Sequence, residues 1–158
     1  MQMPERVLAV EDSPVKWADV DQVVRPLLPA GCDLVHVGNM ASARQHIMQG
    51  GWDLLLLDVS LDVNERSGGN RGAKEFTGGL QLASRMHYLD KSIPTIVITG
   101  FETFVAARPQ AEQDMILGLQ DVERTMRGYL GEDVIGMVRY GNPGWQEELT
   151  AMLKGFMG

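Results

Sequence analysis

Apolar residues in this chain alternate between short unbroken runs and stripes at helical spacing. Arg6-Val7-Leu8-Ala9-Val10 is a run with β-branched content that stops at Glu11-Asp12-Ser13-Pro14, which predicts a first strand. Ser13 suits an N-cap and Pro14 the first helical position, and Val15, Ala18, Val20, Val23 and Val24 then keep an approximately helical spacing. Pro26 removes a helical donor and should end or kink this helix. Cys32 to Val37 predicts a second strand, less apolar than the next and so nearer a sheet edge. Ala41, Ala43 and Ile47 mark a short helix closed by Gly50-Gly51. Leu54-Leu55-Leu56-Leu57 follows, bounded by Asp53 and Asp58. Four leucines are too few for a free-standing amphipathic helix and show no alternation, so the run predicts a strand buried on both faces.

Beyond Asp58 the regularity weakens. Residues 59–79 hold Ser67-Gly68-Gly69-Asn70-Arg71-Gly72 without apolar periodicity, which predicts a long mobile loop. Leu80, Leu82, Ala83 and Met86 mark a third helix, and Ile93 to Gly100 contains a β-branched fourth strand. A second irregular connection covers 101–109. Met115, Leu119, Val122, Met126 and Leu130 then give a long amphipathic helix, and Val134 to Tyr140 a fifth strand. Asn142 as N-cap and Pro143 in the first turn open a last helix striped by Trp145, Leu149, Met152, Leu153 and Phe156. Alternation of strands and helices predicts a mostly parallel, doubly wound α/β sheet with helices on both faces.

Composition narrows the function classes. At 158 residues with 44% hydrophobic side chains, the chain fills one core, and we read a single domain over residues 1–158. A net charge of -7, with 14 dispersed Lys and Arg, argues against a nucleic-acid partner. Cys32 is the only cysteine, which excludes an internal disulfide and a Cys-rich metal site. No apolar stretch reaches membrane-spanning length and the N-terminus does not read as an export leader, so the expectation is a cytoplasmic protein without a membrane partner. His36, His46 and His87 share no spacing that would suggest a metal or catalytic role.

The chemistry gathers at strand ends. In an open parallel sheet the carboxyl ends of the strands line the ligand crevice. Strands one, three, four and five end on Glu11-Asp12, Asp58, Thr99 and Arg139. Two acids beside a third repel one another, and oxygen ligands of this kind suit Mg²⁺. A carboxylate held near such a cation can act as a nucleophile toward phosphorus, with Thr99 hydrogen-bonding a phosphoryl oxygen and Arg139 offsetting its charge.

Val7 to Pro14, Trp52 to Leu61, Gly79-Leu80-Gln81-Leu82 with Arg85, and Ile93 to Gly100 together resemble the receiver domain of two-component response regulators. The resemblance implies a flavodoxin-like fold with a five-stranded sheet and phosphorylation of Asp58 by the phosphohistidine of a histidine kinase or phosphotransfer protein. It also implies Mg²⁺ held by Glu11, Asp12, Asp58 and the main-chain carbonyl of Ser60, with Thr99 as the switch hydroxyl and small Gly100 leaving room beside the phosphoryl group. The chain departs from the family at the end of strand five, where receivers carry a lysine, usually before a proline, and this chain has Arg139-Tyr140-Gly141-Asn142-Pro143. Arginine keeps the charge but replaces a compact ammonium with a planar fork. The aromatic that receivers often place earlier in that strand has no clear match, and Asp62 stands where many have proline.

Three readings follow. The first is a stand-alone receiver, not an enzyme, that signals by contact with a downstream protein and is compatible with a homodimer. The second is a receiver-like interaction module that is not phosphorylated. The third is a flavodoxin-like phosphatase with Asp58 as nucleophile; such enzymes typically carry a second Asp two residues on, where this chain has Ser60.

Overall fold

A computed structural model describes residues 3–59, 78–100 and 112–158, the last of these with side chains from residue 120 onward. Both predicted loops and Ser60 lie outside the described residues, apart from the loop ends Val59, Gly78 and Gly79. The strands are β1 (Arg6–Val10), β2 (Asp33–Val37), β3 (Leu54–Asp58), β4 (Thr95–Gly100) and β5 (Val134–Tyr140). They form one parallel sheet in the order β2-β1-β3-β4-β5. The helices are α1 (Pro14–Val24), α2 (Met40–Gln49), α3 (Gly78–Tyr88), α4 (Glu112–Leu130) and α5 (Trp145–Met157). This is the parallel sheet with helices on both faces expected from the alternation, in the flavodoxin-like form that the resemblance implied, with β2 at an edge as its lower apolarity suggested.

The leucine run sits where its composition requires. Leu54 to Leu57 are at most 2% exposed and contribute alternately to the two cores. Leu55 and Leu57 join Val10, Val97, Leu82 and Met126, under α2, α3 and α4. Leu54 and Leu56 join Ala9, Ile98, Val138 and Leu149, under α1 and α5. Full burial of a leucine side chain stabilises by about 1.5–3 kcal/mol, so this strand anchors both layers. Asp53 fixes its approach: the carboxylate accepts from the backbone N–H groups of Glu5 at 2.8 Å and Arg6 at 3.0 Å.

Two boundaries differ from the sequence expectation. Trp145, not Pro143, opens α5; Gly144 is its N-cap in the left-handed region at φ 86° and Asn142 contributes only its carbonyl, to the Trp145 N–H. In α1 the buried stripe is Lys16, Val20 and Val24, whereas Val15, expected on the apolar face, is 72% exposed. Pro26 behaves as expected, since the chain tightens there into a 3₁₀ turn over Arg25–Leu27.

A register shift governs the far edge. Thr95 pairs with Val134 but Ile96 pairs with Gly136, so β5 carries one extra residue. Ile135 packs against the α1/α5 core and Gly136 faces Met152 of α5, so two successive residues point to one side. From there the alternation resumes with Met137 toward the α3/α4 core and Val138 toward α5. A β-bulge of this kind exchanges the faces of every residue beyond it.

Candidate functional site

Glu11 follows β1, and its backbone N–H continues the ladder by donating to the Val37 carbonyl at 3.0 Å. Asp58 ends β3, paired in register with Ile98. Both carboxyl groups lie on the α1/α5 face and are buried, Glu11 to 5% and Asp58 to 1% exposure. Asp12 is exposed beside them, and one carboxylate oxygen from each of Glu11, Asp12 and Asp58 lies within 4.8 Å of the others. The structure therefore brings together the three acids that the sequence proposed as metal ligands. Three carboxylates converging on one point form a hard-oxygen donor set that fits Mg²⁺.

The helix that follows is built into the site. Ser13 caps α1 through its hydroxyl, which accepts from the Lys16 N–H at 3.2 Å, and the Ser13 N–H donates to Glu11 Oε2 at 3.1 Å. One turn in, Lys16 turns back under the acids. Its Nζ lies 3.2 Å from Asp58 Oδ1 and 3.4 Å from Glu11 Oε1, and the residue is only 7% exposed. Sequence reasoning missed this residue. The signal was present in the stripe at 16, 20 and 24, where a lysine holds an otherwise apolar position.

His36 and Trp17 wall the site on the β2 side. The imidazole Nε2–H donates to the Glu11 carbonyl at 2.7 Å, which fixes the tautomer, and the ring stacks on Trp17 with centroids 4.5 Å apart. Tyr140 closes the β5 side: its ring centroid lies 5.7 Å from Lys16 Nζ, and its hydroxyl donates to the Asp19 carboxylate. Beneath the acids is a cavity of about 10 Å³ lined by Ala9, Val20, Leu56 and Ile98, room for about one water.

These apolar walls set the electrostatics. Burial, and then the Asp58 charge, push the Glu11 carboxyl up from 4.5 to about 9, against the opposing pull of Lys16. Burial lowers the Lys16 ammonium, but the charges of Asp58 and Glu11 outweigh it and hold the group above its ordinary value. Among the described residues, two buried carboxylates against one ammonium leave a negative charge in excess, which a proton on Glu11 or a bound cation removes.

Thr99 is fully buried, one residue beyond the register partner of Asp58, with its hydroxyl donating to the Val138 carbonyl at 3.5 Å. Arg139 is in register with Thr99 and its side chain is exposed. Strand alternation after the bulge puts Arg139 on the face opposite Asp58, so the structure does not bring it to the acids. The α3 N-terminus does come close. Gly79 donates its N–H to the Val59 carbonyl at 3.1 Å, and a Cβ there would stand 2.5 Å from the Asp58 carbonyl oxygen.

Comparison with known proteins gives a consistent fold assignment. No family model matches the chain, and no curated protein matches it. Among solved structures it is similar to a signal receiver domain from Vibrio parahaemolyticus, with a TM-score of 0.60 and 18% identity over 99% of this chain and 91% of that one. A CheY-like response regulator receiver domain protein from Methanospirillum hungatei gives 0.58 and 14% identity over 97% and 93%. The response regulator TrrA from Thermotoga maritima, solved in complex with Mg²⁺ and a beryllium fluoride, gives 0.56 and 16% over 96% and 97%. The chain has the receiver-domain fold over nearly its whole length. Among the described residues no helix is long and apolar enough to cross a membrane.

Proposed function

We propose that this domain is a response regulator receiver that accepts a phosphoryl group on Asp58 and passes the signal on by contact with another protein. The observation that carries the reading is the convergence of Glu11, Asp12 and Asp58 at the carboxyl edge of the sheet, with Asp58 held at the end of a fully buried strand. A buried strand fixes the nucleophile in place, which is what in-line attack requires. The donor is the phosphohistidine of a histidine kinase or of a phosphotransfer protein. An Asp58 carboxylate oxygen bonds to phosphorus while the phosphorus–nitrogen bond of the donor breaks, and the imidazole nitrogen leaves with the electron pair and takes up a proton. Glu11 and Asp12, with Asp58 and the Ser60 carbonyl, would hold Mg²⁺. When bound, the metal offsets the charge of the phosphoryl oxygens.

The test is intact-protein mass after incubation with acetyl phosphate and Mg²⁺. The wild-type chain should gain one phosphoryl group, and Asp58→Asn, which keeps the shape but removes the anionic nucleophile, should gain none while keeping its fold. Equal gain by the Asn variant would show that another carboxylate is the acceptor. A wild-type chain that gains no mass would favour a receiver-like module that is not phosphorylated, with Lys16 serving as the permanent counterion of Asp58.

A further inference from the structure

We propose that Lys16, carried by α1, is the cation that contacts the phosphoryl group on Asp58, in place of any cation at the end of β5. This rests on Asp58 being the acceptor. The first line of support is placement by strand register. Asp58, Ile98 and Val138 form one row on the α1/α5 face, and the next row on that face is Gly100 with Tyr140. The bulge at Ile135 turns Arg139 to the opposite face, where it is exposed, and puts the neutral Tyr140 in the row nearest the acids.

The second line is what occupies that space. Lys16 Nζ is already 3.2 Å from Asp58 Oδ1, close enough to donate to it. A lysine stem of four methylenes can follow added negative charge by a few ångströms, which a fixed guanidinium fork does less readily. Tyr140 holds the ammonium from the other side: its ring faces Nζ and its hydroxyl is tied to Asp19, three residues after Lys16 on the same helix. The β5 end thus supplies the wall and α1 supplies the charge. Because Tyr140 also tilts against Trp145 at the start of α5, with centroids 5.0 Å apart, movement of Lys16 toward a phosphoryl group bears on the contact between α1 and α5.

Beryllofluoride, which mimics the phosphoryl group on an aspartate, tests this without turnover. Its affinity is measured by tryptophan fluorescence at fixed saturating Mg²⁺, and Mg²⁺ affinity is measured separately, for wild type, Lys16→Met, Arg139→Ala and Lys16→Met with Tyr140→Lys. Lys16→Met should weaken beryllofluoride binding about ten- to a hundredfold, the range for losing a charge-assisted hydrogen bond, while leaving Mg²⁺ binding equal or tighter because a competing cation is gone. Arg139→Ala should stay within about twofold. The double variant, which returns a lysine to the end of β5, should recover part of the loss. A purely structural Lys16 would weaken both ligands together, and that result overturns the proposal. So does wild-type beryllofluoride affinity in Lys16→Met, or a large loss in Arg139→Ala. Should Lys16→Met not fold, the Cε resonance of Lys16 in wild type decides: it shifts on adding beryllofluoride to the Mg²⁺-loaded protein if the proposal holds, and stays if it does not. Absence of any beryllofluoride binding by wild type would overturn the acceptor reading and this inference together, whereas binding that ignores Lys16 overturns this inference alone.

Discussion

Glu11→Gln should make the metal-free protein more stable at neutral pH, although it removes one partner of a buried ion pair. The folded carboxyl keeps its proton up to about pH 9 because burial and the neighbouring Asp58 charge oppose ionisation, whereas the unfolded chain releases it near 4.5. A folded value above the unfolded one means that the folded state binds the proton more tightly. The contribution is therefore fully present below pH 4.5 and is lost as pH rises toward 9. Each pH unit in that window costs about 1.4 kcal/mol, which from 4.5 to neutral pH amounts to about 3 kcal/mol.

Glutamine carries no such cost. It fills the same space, can still accept from the Ser13 N–H, and leaves Lys16 paired with Asp58. For a chain of 158 residues, 3 kcal/mol corresponds to a rise in Tm of about 6–12 °C at pH 7. The assay is thermal unfolding by circular dichroism in EDTA at several pH values between about 5 and 8.5, repeated with Mg²⁺. The gap between variant and wild type should widen with pH, and Mg²⁺ should narrow it by stabilising only the wild type. A variant less stable than wild type at pH 7 and above in EDTA would refute the reasoning, because it would mean that Glu11 is ionised and held by Lys16.

Two further predictions come from the same geometry. Because Glu11 must lose its proton to ligate a cation, Mg²⁺ affinity should rise by up to about tenfold per pH unit between roughly pH 6 and 8; calorimetry in buffers of different ionisation enthalpy counts the released proton, and a count of zero would sink the idea. Gly79→Ala should cost about 1–3 kcal/mol in a denaturant titration and slow phosphoryl uptake, since its Cβ meets rigid backbone at Asp58 and Val59. Gly136→Ala, whose Cβ meets only the flexible Met152 side chain, should cost less, and equal costs would show that the Asp58–Gly79 approach is not tight.

The architecture was legible because each strand announces itself differently from each helix. Four consecutive leucines can be satisfied only where both faces are covered, and Asp58 at their end is placed by that burial rather than by its own chemistry. Glu11 and Asp12 were legible for the same reason, since the run from Arg6 to Val10 has to stop at charged residues. Lys16 was harder. Long charged side chains on a helix usually snorkel to water, so a lysine among valines is normally assigned to the solvated face. Choosing Val15 for the apolar stripe shifted that face by one residue; the correct stripe starts from Lys16, whose burial is compensated only by acids on other strands.

The end of β5 was illegible for a different reason, and it shows why residue type was a poor guide there. An unbroken ladder from Thr95 paired with Val134 would set Arg139 opposite Gly100, on the face of Asp58. The extra residue at Ile135 moves Arg139 beside Thr99 and exchanges its face with that of Tyr140. Neither Val134-Ile135-Gly136 nor its neighbours announce a bulge, apart from a glycine inside a strand, which is consistent with one. Gly136 also lies where Met152 of α5 approaches to 2.8 Å of the Cβ position, so close helix packing and the bulge meet at one residue. With the strand-borne cation turned away, the excess negative charge of Glu11 and Asp58 needs a partner from another element, and α1 begins immediately after those acids. A residue one turn into that helix is well placed for a flexible ammonium to return to Asp58, as Lys16 does.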